Sequence, residues 1–291
     1  MQDITWSPEG PNLVILGDNL NVLKSFPDKS LQLIYIDPPF NTGRVQERIS
    51  LKTFRSSTGS RIGFQGMQYE SIRNSITSYD DVFADYWEFL EPRLIEAWRL
   101  LSDTGTFYLH LDYREVHYAK VLLDFIFGRE CFLNEIIWSY DYGGKTKKKW
   151  PPKHDNILVY VKNPTKYVFN SETVDREPYM APGLVSTEKA AKGKLPTDVW
   201  WHTIVSPTGK EKTGYATQKP LGILRRIIQA SSKENDWVMD FFCGSGTLGA
   251  AAKELNRNFI LIDQNRTAID ITKERLGNST GNRSIEYFVD G

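Results

Sequence analysis

Val238-Met239-Asp240-Phe241-Phe242-Cys243-Gly244-Ser245-Gly246-Thr247-Leu248-Gly249 reads as a strand that runs through glycines into a helix. Glycine at such a turn permits positive φ and lets a ligand approach the backbone. The next apolar run, Phe259–Ile262, ends at Asp263, an acid placed to accept hydrogen bonds from ribose hydroxyls. Three readings of this stretch compete. It is a structural turn, a dinucleotide site (Gly244, Gly246 and Gly249 satisfy G-x-G-x-x-G), or the site of an adenosyl ligand. Position favours the last. Only 28 residues follow Asp263, too few for the rest of a dinucleotide fold, so the missing strands are expected from earlier in the chain.

Those strands are there to be read. Asn12–Leu16 is short and apolar and ends in Gly17-Asp18, where Asp18 can cap a helix over Asn19–Ser25. If this strand lies beside Phe259–Ile262, Asp18 ends the third strand counted from the glycine turn and can receive an adenine amino group. The bland alternative is capping alone. Leu33–Ile36 is a second buried strand, stopped by Asp37-Pro38-Pro39-Phe40. Strand, helix and strand in succession form the unit of a parallel sheet. Ligands of open α/β sheets bind beyond the carboxyl ends of strands. The two prolines fix φ and remove two backbone donors, which leaves a carboxylate, carbonyl acceptors and an aromatic plate. An exocyclic amine has two N–H donors, which Asp37 and the Pro38 carbonyl can accept, while Phe40 stacks on a base for about 1–3 kcal/mol.

Further along, Ala84–Leu101 has a helical apolar face (Trp87, Leu90, Leu94, Ile95, Trp98, Leu101), with Pro92 expected to kink or break it. Thr106–Leu111, Glu135–Trp138 and Asn156–Val161 read as strands. Val116–Phe127, Lys219–Ser231, Thr247–Leu255 and Arg266–Leu276 read as helices. Together with Trp237–Phe242 this gives seven strands. Asn41–Tyr79 is rich in Ser, Thr, Gly and Arg with weak periodicity and is expected to be a mobile functional loop.

The bulk properties restrict the function without naming it. Lys plus Arg and Asp plus Glu are equal at 36 each, so any nucleic-acid-binding surface must come from local clustering. The two cysteines, Cys131 and Cys243, have no metal spacing. No run approaches a membrane span, and the first residues lack the basic and apolar regions of a leader, so a cytoplasmic protein without membrane contact is expected.

Taken together, these residues resemble the beta class of amino-directed DNA methyltransferases. That class carries a D-P-P-aromatic catalytic motif early and an F-x-G-x-G cofactor motif late, with a target-recognition region between them. Here the motifs are Asp37–Phe40 and Phe242-Cys243-Gly244-Ser245-Gly246, in the family's permuted order. Thr217-Gln218-Lys219-Pro220, Ser102–Thr106 and His154–Leu158 also look familial. The resemblance covers about Leu13 to Leu276.

It implies a circularly permuted Rossmann-like α/β methyltransferase sheet, seven-stranded and mostly parallel, with an inserted target-recognition region. Residues 1–140 would form the first part of the catalytic domain, with the mobile loop at 41–79. Residues 141–214 would hold a strand pair, a basic loop and the recognition region, and residues 215–291 the cofactor-binding part.

It further implies S-adenosylmethionine as cofactor. Asp18, Lys219, Pro220, Asp240, Phe241, Phe242, Cys243, Gly244, Gly246, Thr247 and Asp263 would hold it, with Lys219 and Pro220 at its methionine end. Asp37, Pro38, Pro39 and Phe40 are the catalytic set. Two departures stand out: Phe241 replaces the frequent proline after the acid of the glycine motif, and Phe40 replaces the commoner tyrosine. Asp37, where N4-cytosine members usually have serine, favours N6 of adenine. N4 of cytosine, an RNA or protein amide, and an idle nucleic-acid-binding module are the alternatives.

The implied partner is duplex DNA, whose target base rotates out of the stack. Some members pair with a cognate restriction endonuclease or with a second copy of themselves. Lys145, Lys147, Lys148, Lys149 and Lys153 form a run without an intervening acid and are the expected phosphate contacts, a solvated loop being the alternative. Residues 167–214 are expected to read bases, including Trp200-Trp201-His202-Thr203. Cys243 is expected to be a small turn residue rather than a nucleophile. His110, His117, His154 and His202 are expected to be structural or DNA-contacting, with no metal cluster.

Overall fold

The computed structural model describes residues 6–39, 81–141, 146–206, 209–215, 217–277, 279–280 and 283–289. Ten strands form one sheet: β1 (Asn12–Leu16), β2 (Leu31–Ile36), β3 (Leu101–Leu111), β4 (Phe132–Ser139), β5 (His154–Val161), β6 (Val199–Trp201), β7 (Trp237–Asp240), β8 (Asn258–Asp263), β9 (Ser279–Thr280) and β10 (Arg283–Val289). Their order is β6-β4-β5-β3-β2-β7-β8-β1-β10-β9. Pairing is parallel except that β5 runs antiparallel to both β3 and β4, and β9 to β10.

The seven strands read from the sequence are all present, as the contiguous block from β4 to β1. The expected count of seven is corrected by three flanking strands. β6 has three residues inside a stretch that reads as irregular, and the two-residue β9 carries no periodic signal. β10 (Arg-Ser-Ile-Glu-Tyr-Phe-Val) lies next to the edge, between β1 and β9, and is too little buried to carry a continuous apolar run.

Helices cover both faces, as a sheet buried on both sides requires. On one face lie α1 (Asn19–Leu23), α2 (Asp81–Leu100) and α3 (Val116–Phe127), packed on Leu13, Ile34, Ile36, Leu109 and Met239. On the other lie α5 (Leu221–Ser231), α6 (Thr247–Glu254) and α7 (Arg266–Leu276), packed on Val14, Leu33, Tyr35, Val238 and Leu261. The short α4 (Thr187–Lys192) stands outside the core. Asp18 caps α1, accepting from Asn21 N at 3.2 Å.

Of the two expected effects of Pro92, a kink or a break, the break does not occur: α2 is continuous from Asp81 to Leu100. A mid-helix proline costs about 3 kcal/mol. Leu90, Leu94, Ala97 and Leu100 are fully buried around it. Each such leucine recovers about 1.5–3 kcal/mol. Ile95, read as part of the apolar face, is instead exposed, and Ala97 and Leu100 fill the buried positions.

Two pairings position the site. The early β2 lies beside the late β7, with Leu33 opposite Val238 and Ile34 opposite Met239. β1 lies beside β8, with Leu16 opposite Asp263. Because β4, β3, β2, β7, β8 and β1 all run the same way, Asp37, the glycine turn, Asp263 and the β4–β5 hairpin share one edge of the sheet.

Candidate active site

A cavity of about 400 Å³ opens at that carboxyl edge, and both sequence motifs line it. Asp37 and Pro39 enter from β2. Asp240, Phe241, Phe242, Cys243, Gly244 and Thr247 enter from the turn between β7 and α6, Asp263 from β8, and Lys219 from the segment before α5. Pro38, Pro220 and Gly246 stand behind this lining: Pro220 caps the start of α5 and Gly246 that of α6. Phe40 and the 41–79 loop lie outside the described residues.

The glycine turn is built by steric exclusion. Gly244 and Gly246 both have left-handed φ, +49° and +69°. A Cβ on Gly246 would meet Thr272 Cγ2 at 2.7 Å, and one on Gly244 would meet the Tyr215 ring at 3.0 Å. The Thr272 hydroxyl donates to Gly244 O at 3.1 Å, which fixes the turn to α7. Cys243 donates its N–H across to Ile262 O at 3.1 Å. Its buried thiol is pushed well up, chiefly by burial and then by Asp263 and Asp240, so no thiolate is available at neutral pH.

Asp263 is held rigidly. Its Oδ2 accepts from Gly244 N at 2.9 Å and its Oδ1 from Asn265 N at 2.8 Å. Burial raises its carboxyl, with those backbone donors opposing. Asp240 is buried more deeply and is raised well above the usual carboxylate range by that burial, while Phe242 N donates to its Oδ1 at 2.9 Å. Its task at the turn is to hold the Phe242 backbone.

On the opposite wall, Lys219 Nζ is ion-paired with Asp37 Oδ2. The sequence reading sets Lys219 at the methionine end of the cofactor; in the structure its ammonium is paired with Asp37, which joins the two motifs. Asp37 Oδ1 is buried and accepts no hydrogen bond from the described residues. A buried lone pair without a donor is costly, and Asp37 is among the residues that line the cavity.

Asp18 ends β1, one strand beyond β8, but its carboxylate does not line the cavity. One oxygen caps α1 and the other takes the Arg93 guanidinium at 2.9 Å. Capping, the alternative reading of Asp18, is present here, with Arg93 as a second partner. Asn19, next to Asp18 in sequence, lines the cavity instead, donating to Phe241 O at 2.6 Å and accepting from Arg93 Nε.

Sequence reading missed several wall residues: Asn19, Phe89, Tyr215 and Tyr35. Phe89 of α2 stacks obliquely on Phe242, with ring centres 5.9 Å apart and Arg93 over its far face at 3.8 Å. No motif announces these. A tyrosine four residues before Lys219 was the one available hint.

Tyr35 begins a buried polar row across the sheet. Its hydroxyl meets His110 Nδ1 at 2.7 Å, His110 Nε2 meets Asp155 Oδ2 at 3.3 Å, and the Tyr140 hydroxyl donates to Asp155 Oδ1 at 3.0 Å. His110 is therefore a structural bridge, fully buried. Burial tends to raise the Asp155 carboxyl, but the His110 hydrogen bond and charge, with Lys219, outweigh it and hold it low. Among the described residues no His, Cys, Asp and Glu group has the makings of a metal site.

The hairpin between β4 and β5 rises from the same edge. Lys147, Lys148 and Lys149 are exposed, Lys149 reaching the Tyr113 ring at 6.0 Å just past β3. Lys153 is half-buried and its carbonyl accepts from Tyr140 N at 2.9 Å, so it belongs to the hairpin's base. Lys145 lies outside the described residues. Of the two tryptophans, Trp201 is 70% exposed, but Trp200 is buried, donates to Thr197 O and sits under Arg226. Trp200 is thus removed from the expected base-reading group.

A DNA methylase family model matches residues 31–274. The chain is 32% identical over 264 residues to the type II methyltransferase M.HpaI of Haemophilus parainfluenzae, covering 90% of this chain and 73% of that one. It is 30% identical to the DNA adenine methyltransferase YhdJ of Escherichia coli K12, covering 90% and 82%. Among solved structures, the M1.HpyAVI–SAM complex superposes with a TM-score of 0.58 at 22% identity, covering 91% of this chain and 99% of that one. The cytosine-N4-specific PvuII DNA methyltransferase superposes at 0.59 and 16% identity, covering 91% and 86%. At such identities these two show a shared fold.

Proposed function

The chain belongs to the DNA methylase family, and from that premise we propose that it transfers a methyl group from S-adenosylmethionine to N6 of adenine in duplex DNA. The observation that carries this reading is a single cavity lined both by Asp37 of the early motif and by the Gly244 turn and Asp263 of the late one.

The residues suit an adenosyl group. The cavity is lined by a rigid acid, Asp263, beside backbone that no Cβ obstructs, and by the Phe89 and Phe242 rings on its apolar side. S-adenosylmethionine, when bound, supplies an electrophilic methyl. Asp263 would hold the ribose hydroxyls, and Gly244 would admit the ligand to the backbone. Lys219 stays ion-paired with Asp37 Oδ2, which leaves Oδ1 for the base.

Asp37 Oδ1 and the Pro38 carbonyl accept the two N–H bonds of the flipped base. This positions the nitrogen and localises its lone pair, otherwise drawn into the ring. Bound S-adenosylmethionine would supply the methyl to this nitrogen and leave as the neutral sulfide, and Asp37 Oδ1 would take the proton that the amine gives up. Positioning and fixed charge supply the rate. Rotating the base out costs a few kcal/mol, which phosphate contacts from Lys147, Lys148 and Lys149 help to offset.

The type II names of M.HpaI and M.HinfI support a cognate restriction endonuclease as partner. No helix among the described residues is long and apolar enough to cross a membrane.

Nucleoside analysis of DNA incubated with the chain and S-adenosylmethionine tests the reading. N6-methyladenine is the expected product. N4-methylcytosine as the sole product, or unmodified DNA with methyl on RNA or protein, overturns it.

A further inference from the structure

We propose that Gln218 is a positioning residue of the transfer reaction, tying residues 209–215 and 217–220 into a strap that sets Tyr215 over the glycine turn and Lys219 against Asp37. The inference rests on the function proposed above and adds a residue that touches neither base nor cofactor.

The strap lies between β6 and α5 and has no regular secondary structure, with Gly214 at φ +88°. Irregular backbone of this kind keeps one shape only if its own polar groups bind it. Gln218 does most of this. Its Oε1 accepts from both Thr213 N and Thr213 Oγ1 at 2.8 Å, and its Nε2 donates to Glu211 O at 2.8 Å. The amide orientation follows from those partners, donors on one side and a carbonyl on the other. Glu211 in turn accepts from Leu221 N at 2.6 Å, the first residue of α5. One side chain thus closes the loop, and the closed loop is pinned to the helix.

Both ends of the strap reach the site. Tyr215 lines the cavity, with its ring where a Gly244 Cβ would approach to 3.0 Å. Lys219 pairs with Asp37, and its carbonyl accepts from Thr247 Oγ1 at 3.2 Å. The strap therefore touches the catalytic acid, the glycine turn and the start of α6. Without Gln218 the Thr213–Glu211 bend loses its brace, and Tyr215 and Lys219 lose their common reference.

The test is calorimetric titration of S-adenosylhomocysteine, with steady-state kinetics, on the full chain carrying Gln218→Ala, Gln218→Glu, Tyr215→Ala and Gln218→Ala with Tyr215→Ala. Gln218→Ala should raise Kd about tenfold and lower kcat by a similar factor, with KM for DNA held within about twofold. Gln218→Glu keeps the two acceptor bonds and should restore part of both losses. In the Tyr215→Ala background, Gln218→Ala should add less than about twofold to Kd, because the residue it positions is gone.

Wild-type Kd and kcat in Gln218→Ala overturn the inference, as do losses that multiply in full in the double variant. Should Gln218→Ala fail to fold, Thr213→Val removes one of the three bonds, together with the acceptor of Tyr215 N at 3.4 Å, and should raise Kd about threefold; no change there overturns it equally. A wild-type chain that binds no S-adenosylhomocysteine defeats the parent reading, and this inference falls with it.

Discussion

Around Gly244 the polar groups of the turn and of Asp263 are anchored. Asp263 is fixed by two backbone N–H groups, Gly244 O by Thr272, and Phe241 O by Asn19. At the β4–β5 hairpin, on the same edge of the same sheet, Lys147, Lys148 and Lys149 stand in solvent and Trp201 is 70% exposed. One half of the edge is prebuilt for a ligand of fixed shape; the other offers unspent charge. A small cofactor is bound best by groups that need no reordering, whereas a polyanion is bound through released counterions, which asks only for accessible cations. Each half should accordingly fail in its own way.

The prebuilt half should break hardest. Gly246→Val places a β-branched residue at φ +69° with its Cβ inside contact distance of Thr272. The expected result is a cofactor Kd raised by more than about 100-fold, with about 1–3 kcal/mol lost in stability. Titration and chemical denaturation measure both.

The two tryptophans sharpen the contrast within adjacent residues. Trp200→Ala should cost about 3–5 kcal/mol, since it empties a buried site beneath Arg226. Trp201→Ala should change stability by less than about 0.5 kcal/mol. Equal losses would mean that the recognition side is packed like the cofactor side.

Reversing Lys147, Lys148 and Lys149 to Glu should weaken DNA binding by at least about tenfold at low salt and flatten its dependence on salt by about 0.9 per lost phosphate contact. Cofactor Kd should not move. Unchanged DNA affinity would assign these lysines to a merely solvated loop.

The smallest effect is a pH dependence. Burial raises the Asp240 carboxyl well above its usual range, with Asp37 and Asp263 adding to it, so the folded chain holds that proton more tightly than the unfolded one. Stability on this account is full below the unfolded value of about 4 and falls as pH climbs toward the folded value. Asp240→Asn keeps the Oδ1 acceptor for Phe242 N–H and removes the loss. Its melting temperature should exceed that of the wild type by a margin that widens from pH 5 to pH 8. A margin independent of pH would refute the assignment.

The contrast also explains what the sequence disclosed. The seven inner strands are continuous apolar runs, and both motifs are local words, Asp37–Phe40 and Phe242–Gly246, so adjacency in the chain was enough to read them. What stayed hidden depends on side chains brought together from afar. Arg93 reaches Asp18 and Asn19 across 75 and 74 positions, and Lys219 reaches Asp37 across 182. Asp18 reads as a helix cap or an adenine acceptor, and nothing near it in sequence announces Arg93. Pro92 reads as a break because the burial that overrides it is tertiary. Trp200 and Trp201 read alike because only the pairing of β6 with β4 decides which faces inward.

The most direct test compares Asp37→Ala with the wild type in two measurements on one preparation: cofactor affinity by titration and single-turnover methylation of duplex DNA. If an early acid and a late nucleoside cradle serve one cavity with separate tasks, cofactor Kd stays within a few-fold while transfer falls by at least about 10²–10³. Near-normal transfer by Asp37→Ala, or a fall in cofactor affinity that accounts for all of the lost transfer, would contradict it.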